Sequence, residues 1–204
     1  LWRDLRSLAL MFPIPPRPLA ETCTYGFMGG QGGFSAEECE RIVALGDNYE
    51  TSRIFGERID ETVRSSEVCP LALTPQTEWI FDRIRLAATA VNDRWWRFDL
   101  TGIHPYLQLV RYKKTQHQSW HRDGVDGGFS HRKLTVSIQL SDPRAFKGGS
   151  LQFLDQATPT IPADEHLAQG NILFFPGYQL HQVTPVTKGV RYALLTFIEG
   201  PPYR

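Results

Sequence analysis

The chain has 204 residues, 41% hydrophobic and 22% charged, and its 22 basic side chains balance 22 acidic ones. That length suits one substantial domain, and the lack of net charge offers no global attraction to nucleic acid or an anionic membrane. Cys23, Cys39 and Cys69 are odd in number and lack a C-x-x-C spacing, against both a disulfide framework and a cysteine-bound zinc; with no apolar run near the roughly 20 residues of a spanning helix, a cytoplasmic protein is expected, without membrane or nucleic-acid partners.

Residues 1–33 are expected to form a flexible arm, because "FPIPPRPLAETCTYGFMGGQGG" is dense in proline and then glycine. The folded body is expected over 34–204, with helical support over 34–103 and a β core over 104–200. Ser35 and Glu38 make a capping-box pattern, and Cys39, Ile42, Val43 and Ala44 follow until Gly46 supplies a stop, predicting a first helix. The loop "TSRIFGERIDETVRSS", residues 51–66 with Arg53, Arg58 and Arg64, is expected to connect the helices across the mouth of a barrel. A long second helix is predicted from Thr74, with Pro75 in its first turn, through Trp79, Ile80, Ile84, Ala87, Ala88 and Val91.

From residue 104 the texture changes to short runs of branched and aromatic residues between glycines and prolines, the pattern of a sandwich or barrel. Strands are predicted at "YLQLVRY", "KLTVSIQL", "SLQFL", "NILFF" and "VRYALLTFI". In "LTVSIQL", Leu134, Val136, Ile138 and Leu140 share one face, and Thr135, Ser137 and Gln139 share the other. Helices packed outside would bury the aliphatic face and leave the polar one looking into the barrel.

"SWHRDG" places His121 and Asp123 at i and i+2, which on an extended strand project from one face. His181, in "LHQVTPV" beyond the strand "NILFF", is the third candidate ligand. Two imidazoles and one carboxylate leave adjacent coordination positions free, as in non-haem iron(II) oxygenases. The same set suits a hydrolytic zinc, so the trio alone does not choose between oxidation and hydrolysis. Arg191, ten residues past His181 and expected beside the strand that carries it, can hold a carboxylate through two parallel hydrogen bonds. That favours a metal-chelating keto-acid whose far carboxylate meets the arginine.

"RYKKTQHQSWHRDG", "LTVSIQLSD", "GGSLQF" and "GNILFFPGYQLHQVTPVTKGVRYALLTF" together resemble the iron(II)- and 2-oxoglutarate-dependent dioxygenases, in their prolyl 4-hydroxylase-like branch. The resemblance covers residues 105–198 well and 34–104 loosely. It implies an α+β, mainly β fold, a double-stranded β-helix or jelly-roll barrel supported by N-terminal helices. It also implies His121, Asp123 and His181 as iron ligands and catalytic centre, Arg191 as the anchor of 2-oxoglutarate, and Tyr112 as its hydrogen-bond partner. Gln139 is a further co-substrate candidate, Gly148-Gly149 matches a turn that opens the next strand, and Arg64, just before Ser65, and Gln118 are candidate substrate contacts. The chain departs from the pattern in carrying Lys113-Lys114-Thr115 where many relatives have a glycine, Gln118 where an aromatic residue is frequent, and apolar Leu195 and Phe197.

The implied activity is hydroxylation of an unactivated C–H bond, in a proline-like amino-acid side chain of a peptide or protein or of a free or carrier-bound amino acid. Iron(II), 2-oxoglutarate and dioxygen would be required, with ascorbate as an accessory reductant and a monomer or homodimer as the assembly. Asp123 counts against a halogenase, and Ala193, where nucleic-acid demethylases carry asparagine, counts against a nucleic-acid substrate. The alternatives are another 2-oxoglutarate oxygenase of small-molecule biosynthesis, or a non-catalytic metal- or ligand-binding barrel.

Overall fold

The computed structural model describes residues 26–28, 33–52, 59–125, 128–154 and 167–203. Most of the expected arm, including "PIPPRP", and Arg53 and Arg58 of the expected loop lie outside these residues.

Helix α1 spans Ala36–Val43. Its capping box is complete: the Glu38 amide donates to Ser35 Oγ at 3.1 Å and the Ser35 amide donates to Glu38 Oε2 at 2.9 Å. Arg83 of the second helix also donates to both Glu38 oxygens, at 2.6 and 2.9 Å, so one carboxylate ends one helix and fastens it to the other. Helix α2 spans Glu78–Trp95 and starts later than the sequence predicts. The Thr74 carbonyl accepts from the amides of Thr77 and Glu78, making a turn ahead of the helix, and the Thr77 hydroxyl donates to the Ala72 carbonyl at 2.6 Å. Asn92 stops the helix by bonding the Phe98 backbone from both ends of its side-chain amide.

In chain order the strands are β1 (Gly26–Met28), β2 (Glu50–Thr51), β3 (Arg64–Ser65), β4 (Glu67–Ala72), β5 (Gly102–Ile103), β6 (Tyr106–Tyr112), β7 (His117–His121), β8 (Arg132–Gln139), β9 (Phe146–Gly148), β10 (Leu151–Phe153), β11 (Ile172–Pro176), β12 (His181–Val183), β13 (Val186–Gly189) and β14 (Arg191–Glu199). A larger sheet runs β1-β11-β8-β14-β6-β4-β2, with β5 also on β14; a smaller one runs β10-β12-β7-β3, and β9 pairs with β13. The five predicted strands correspond to β6, β8, β10, β11 and β14. Inside the expected arm, β1 pairs with β11, Gly26 opposite Phe174.

The larger sheet is buried on both faces. Toward the helices it contributes Leu107, Leu109, Leu134, Val136, Ile138, Leu140, Ile172, Phe174 and Leu194 to one core with Ile42, Ile80 and Ile84. Its other face sends Val110, Tyr112, Leu173 and Phe175 against Leu151, Phe153 and Val183 of the smaller sheet. Sides alternate residue by residue along β6 and β11 as the pleat requires, so Tyr112, Phe175 and the polar residues of β8 all face the space between the sheets.

Candidate metal centre

His121 ends β7 and His181 begins β12, and the two are direct cross-strand partners, their ring centroids 4.1 Å apart. Each ring is oriented by its own backbone: Nδ1 of His121 donates to the Ser119 carbonyl at 2.8 Å, and Nδ1 of His181 donates to the Gln179 carbonyl at 2.9 Å. A carbonyl only accepts, so the proton sits on Nδ1 and both Nε2 atoms keep their lone pairs. The Phe175 ring stands edge-on to His181, centroids 4.7 Å apart.

Asp123 does not lie on the same strand as His121, as the i, i+2 reading expected; β7 has ended, and Asp123 sits in a bend. The bend is held by the amides of Asp123 and Gly124, which both donate to the Gly177 carbonyl, at 3.0 and 2.8 Å. A Cβ on Gly124 would stand 2.5 Å from the Arg132 carbonyl oxygen, so the glycine is there to let three backbone segments meet. The Thr135 hydroxyl donates to Asp123 Oδ2 at 2.7 Å. The carboxylate then lies 3.6 Å from His121 Nε2 and 3.4 Å from His181 Nε2, and one ligand atom from each residue falls within 4.8 Å of the others.

Burial, and then the neighbouring His121, push the His181 imidazole down to about 4. Burial alone would raise the Asp123 carboxyl, but His181, His121, Thr135 and Arg132 together hold it below the ordinary carboxylate range. At neutral pH the set therefore offers a neutral, deprotonated His181 nitrogen and an ionised carboxylate, the states in which these groups bind a metal. Two imidazole nitrogens and one carboxylate oxygen converging in a buried site fit iron(II). The Gln118 amide donates to the His121 Nε2 lone pair at 2.8 Å, and is the group a bound metal would replace.

Arg191 corrects one expectation. It opens β14 in the larger sheet opposite Tyr112 of β6, whereas His181 belongs to the smaller sheet, so the two face each other between sheets instead of along one ladder. The Arg191 side chain is buried; its Nε donates to Gln139 Oε1 at 2.9 Å, and Gln139 donates in turn to the Ser141 carbonyl. Gln139, expected to touch a co-substrate, thus braces the arginine. Burial pulls the guanidinium below its usual range and only Tyr112 opposes this electrostatically; among the described residues no carboxylate pairs with Arg191. A buried cation with no counter-ion calls for an anionic ligand. A small cavity connects it to the histidines, lined also by Tyr112, Ser137, Phe175 and Leu195.

Gln118, His121 and Leu195 line both this cavity and a wider cleft outside it. Arg64 lies in the outer cleft, bonded at 3.4 Å to Ser66 and to Gln108. Phe197 lies there too, under the guanidinium of Arg132 at 3.8 Å. Sequence reading left Thr135 as a lining candidate without a task and did not single out Arg132 or Phe175; only the alternation of β8 and β11 hinted at the first and last. Thr115, the last residue of Lys113-Lys114-Thr115, takes a left-handed φ of 74°.

Residues 107–199 match the family model described as the 2OG-Fe(II) oxygenase superfamily. The PKHD-type hydroxylase YbiX of Escherichia coli is 33% identical over 98 residues, covering 44% of this chain and 41% of that protein, so the chain spans about two fifths of this curated relative's length. Among solved structures, a Pseudomonas putida prolyl-4-hydroxylase aligns with TM-score 0.64 at 15% identity over 87% of this chain and 93% of that one. The viral collagen prolyl hydroxylase of Paramecium Bursaria Chlorella virus-1, in its 2OG complex, aligns with TM-score 0.64 at 20% identity over 90% and 100%. A Trichoplax adhaerens prolyl hydroxylase, in complex with a hypoxia inducible factor peptide fragment, aligns with TM-score 0.66 at 13% identity over 86% and 83%. At such identities the likeness is one of fold, the double-stranded β-helix. The stretch that matches the 2OG-Fe(II) oxygenase superfamily, residues 107–199, contains all three converging ligands together with Tyr112, Gln139 and Arg191.

Proposed function

We propose that this protein is an iron(II)- and 2-oxoglutarate-dependent hydroxylase of an amino-acid side chain, proline-like in shape, acting on a peptide or on a free or carrier-bound amino acid. The observation that carries the proposal is a buried arginine, with no carboxylate partner among the described residues, facing His121 and His181 of the His-Asp-His set across one cavity. A zinc hydrolase would need the three ligands but has no task for Arg191. His121, Asp123 and His181 hold the metal, and Arg191, braced by Gln139, takes the far carboxylate of 2-oxoglutarate. Tyr112 closes the cavity beside that arginine, its ring centroid 5.6 Å from the guanidinium carbon. Iron(II), 2-oxoglutarate and dioxygen would supply the oxidising power, one oxygen atom entering the unactivated C–H bond as a hydroxyl and the other entering the succinate left when 2-oxoglutarate loses carbon dioxide. The apolar walls Phe175, Val183 and Leu195 keep water from the reacting centre. The names of the relatives support a prolyl-type target, and we read residues 34–204 as one domain, since both helices pack on the larger sheet.

Adding iron(II) and 2-oxoglutarate without oxygen should give a weak visible charge-transfer band. Asp123→Ala should lose substrate-dependent succinate formation; a variant that turns over like the parent would overturn the assignment.

A further inference from the structure

The outer cleft contains two buried polar atoms that no described protein group satisfies: His104 Nε2 and Arg132 Nε. Both have definite surroundings. His104 follows β5 and its amide donates to the Phe197 carbonyl at 2.9 Å. Its Nδ1 lies 2.7 Å from Glu199 Oε1; since the carboxylate only accepts, Nδ1 carries the proton and Nε2 of the neutral ring is a hydrogen-bond acceptor. Glu199 is the cross-strand partner of Arg132 between β14 and β8, and His131 Nε2 stands 3.8 Å from the same carboxylate oxygen. The Arg132 guanidinium lies between the rings of Phe129 and Phe197, at 4.0 and 3.8 Å from their centroids. Its NH1 reaches the Asp123 carbonyl at 3.4 Å, and no ion pair to it exists among the described residues.

One wall of the cleft thus presents an acceptor beside a carboxylate and, across the Phe197 ring, a donor on a cation. The His104 and Phe197 centroids are 6.1 Å apart. The cleft runs on to His121 and Asp123. A peptide amide could satisfy both hydrogen bonds but would bring no negative charge into contact with the guanidinium, which burial still holds below its usual range despite the fields of Asp123, Tyr106 and Glu199. A ligand carrying one charge of each sign answers both.

We propose that the outer cleft binds a free α-amino acid as its zwitterion, with the ammonium at His104 and Glu199 and the carboxylate at Arg132. That this ligand is the hydroxylated substrate rests on the hydroxylase reading above; that it binds does not.

The test is calorimetric titration of the full chain with each standard free L-amino acid, L-proline included, then with N-acetyl and C-amide forms of any that bind. At least one free amino acid should bind, and blocking either end should weaken it by about tenfold or more, the worth of a charge-assisted hydrogen bond. His104→Phe and Glu199→Gln should each erase the difference between free and N-acetylated forms, while the anaerobic iron(II)–2-oxoglutarate band persists and shows that the fold is intact. No binding by any free amino acid, blocked forms that bind as well as free ones, or discrimination retained in both variants would overturn the proposal. The two readings fail separately: amino-acid binding without the band sinks the hydroxylase, and the band without amino-acid binding sinks only this subsite.

Discussion

Arg191 and Thr135 show how much a contact one residue away from the chemistry is expected to matter. Arg191→Lys keeps a positive charge but loses the planar fork and the bond to Gln139, so KM for 2-oxoglutarate should rise by roughly tenfold or more with iron affinity unchanged. Steady-state kinetics at varied 2-oxoglutarate, beside an iron titration, check it. Thr135→Val keeps the shape of β8 while deleting the hydroxyl that orients Asp123 Oδ2. Iron affinity should fall by about 10-fold to 100-fold, the usual cost of losing a group that orients a ligand, with little change in 2-oxoglutarate binding once iron saturates. At this scale the sequence was informative where spacing carries meaning, as in His121-x-Asp123 and the basic residue ten past His181. It was silent where the meaning lies in a contact across strands. Nothing in the string ties Thr135 to a carboxylate twelve positions earlier, or shows that Gln139 is occupied by Arg191.

Among the elements, those buried on both faces were the easiest to read. β11 is apolar at every position and β8 at every second one from Leu134 to Ile138, because the larger sheet lies between two cores. β7, "HQSWH", has no fully buried residue, since one of its faces looks into the cleft, and so it lacks the alternation that announces a strand. β4 is disguised by Pro70; the structure tolerates it because β2 pairs only with Glu67 and Val68, leaving the ladder edge open where Pro70 has no amide to offer. The start of α2 moved because a turn stapled by Thr74 and Thr77 consumes the first predicted residues. The capping box of α1 was legible and has a measurable weight. Ser35→Ala should lower stability by about 1 kcal/mol in urea denaturation, and Glu38→Ala by more, because it also releases Arg83.

For the molecule as a whole, the buried ligand set makes stability depend on pH even without metal. His181 is held at about 4 when folded, below its ordinary value. The unfolded chain therefore binds that proton first as pH falls, and stability is lost progressively from about pH 6.5 down to about 4. Asp123 is held low as well, so its contribution is present above the ordinary carboxylate range and disappears only as pH drops through its folded value. The metal-free protein should thus show a Tm that is flat in this respect above about pH 6.5 and falls by several degrees toward pH 4. His181→Gln should flatten that decline, and differential scanning calorimetry across the range would show whether it does.

Both metal-facing histidines are aimed by a carbonyl two residues earlier in the chain, at Ser119 and Gln179. A peptide carbonyl is supplied by every residue type, so the aim survives substitution of the side chains at either position. The centre is in this sense mutation-proof from behind, while the Gln118 and Leu195 threshold, and the cleft beyond it, can change freely. A lineage built on this wiring can vary the outer cleft without rebuilding the place where the three ligands converge.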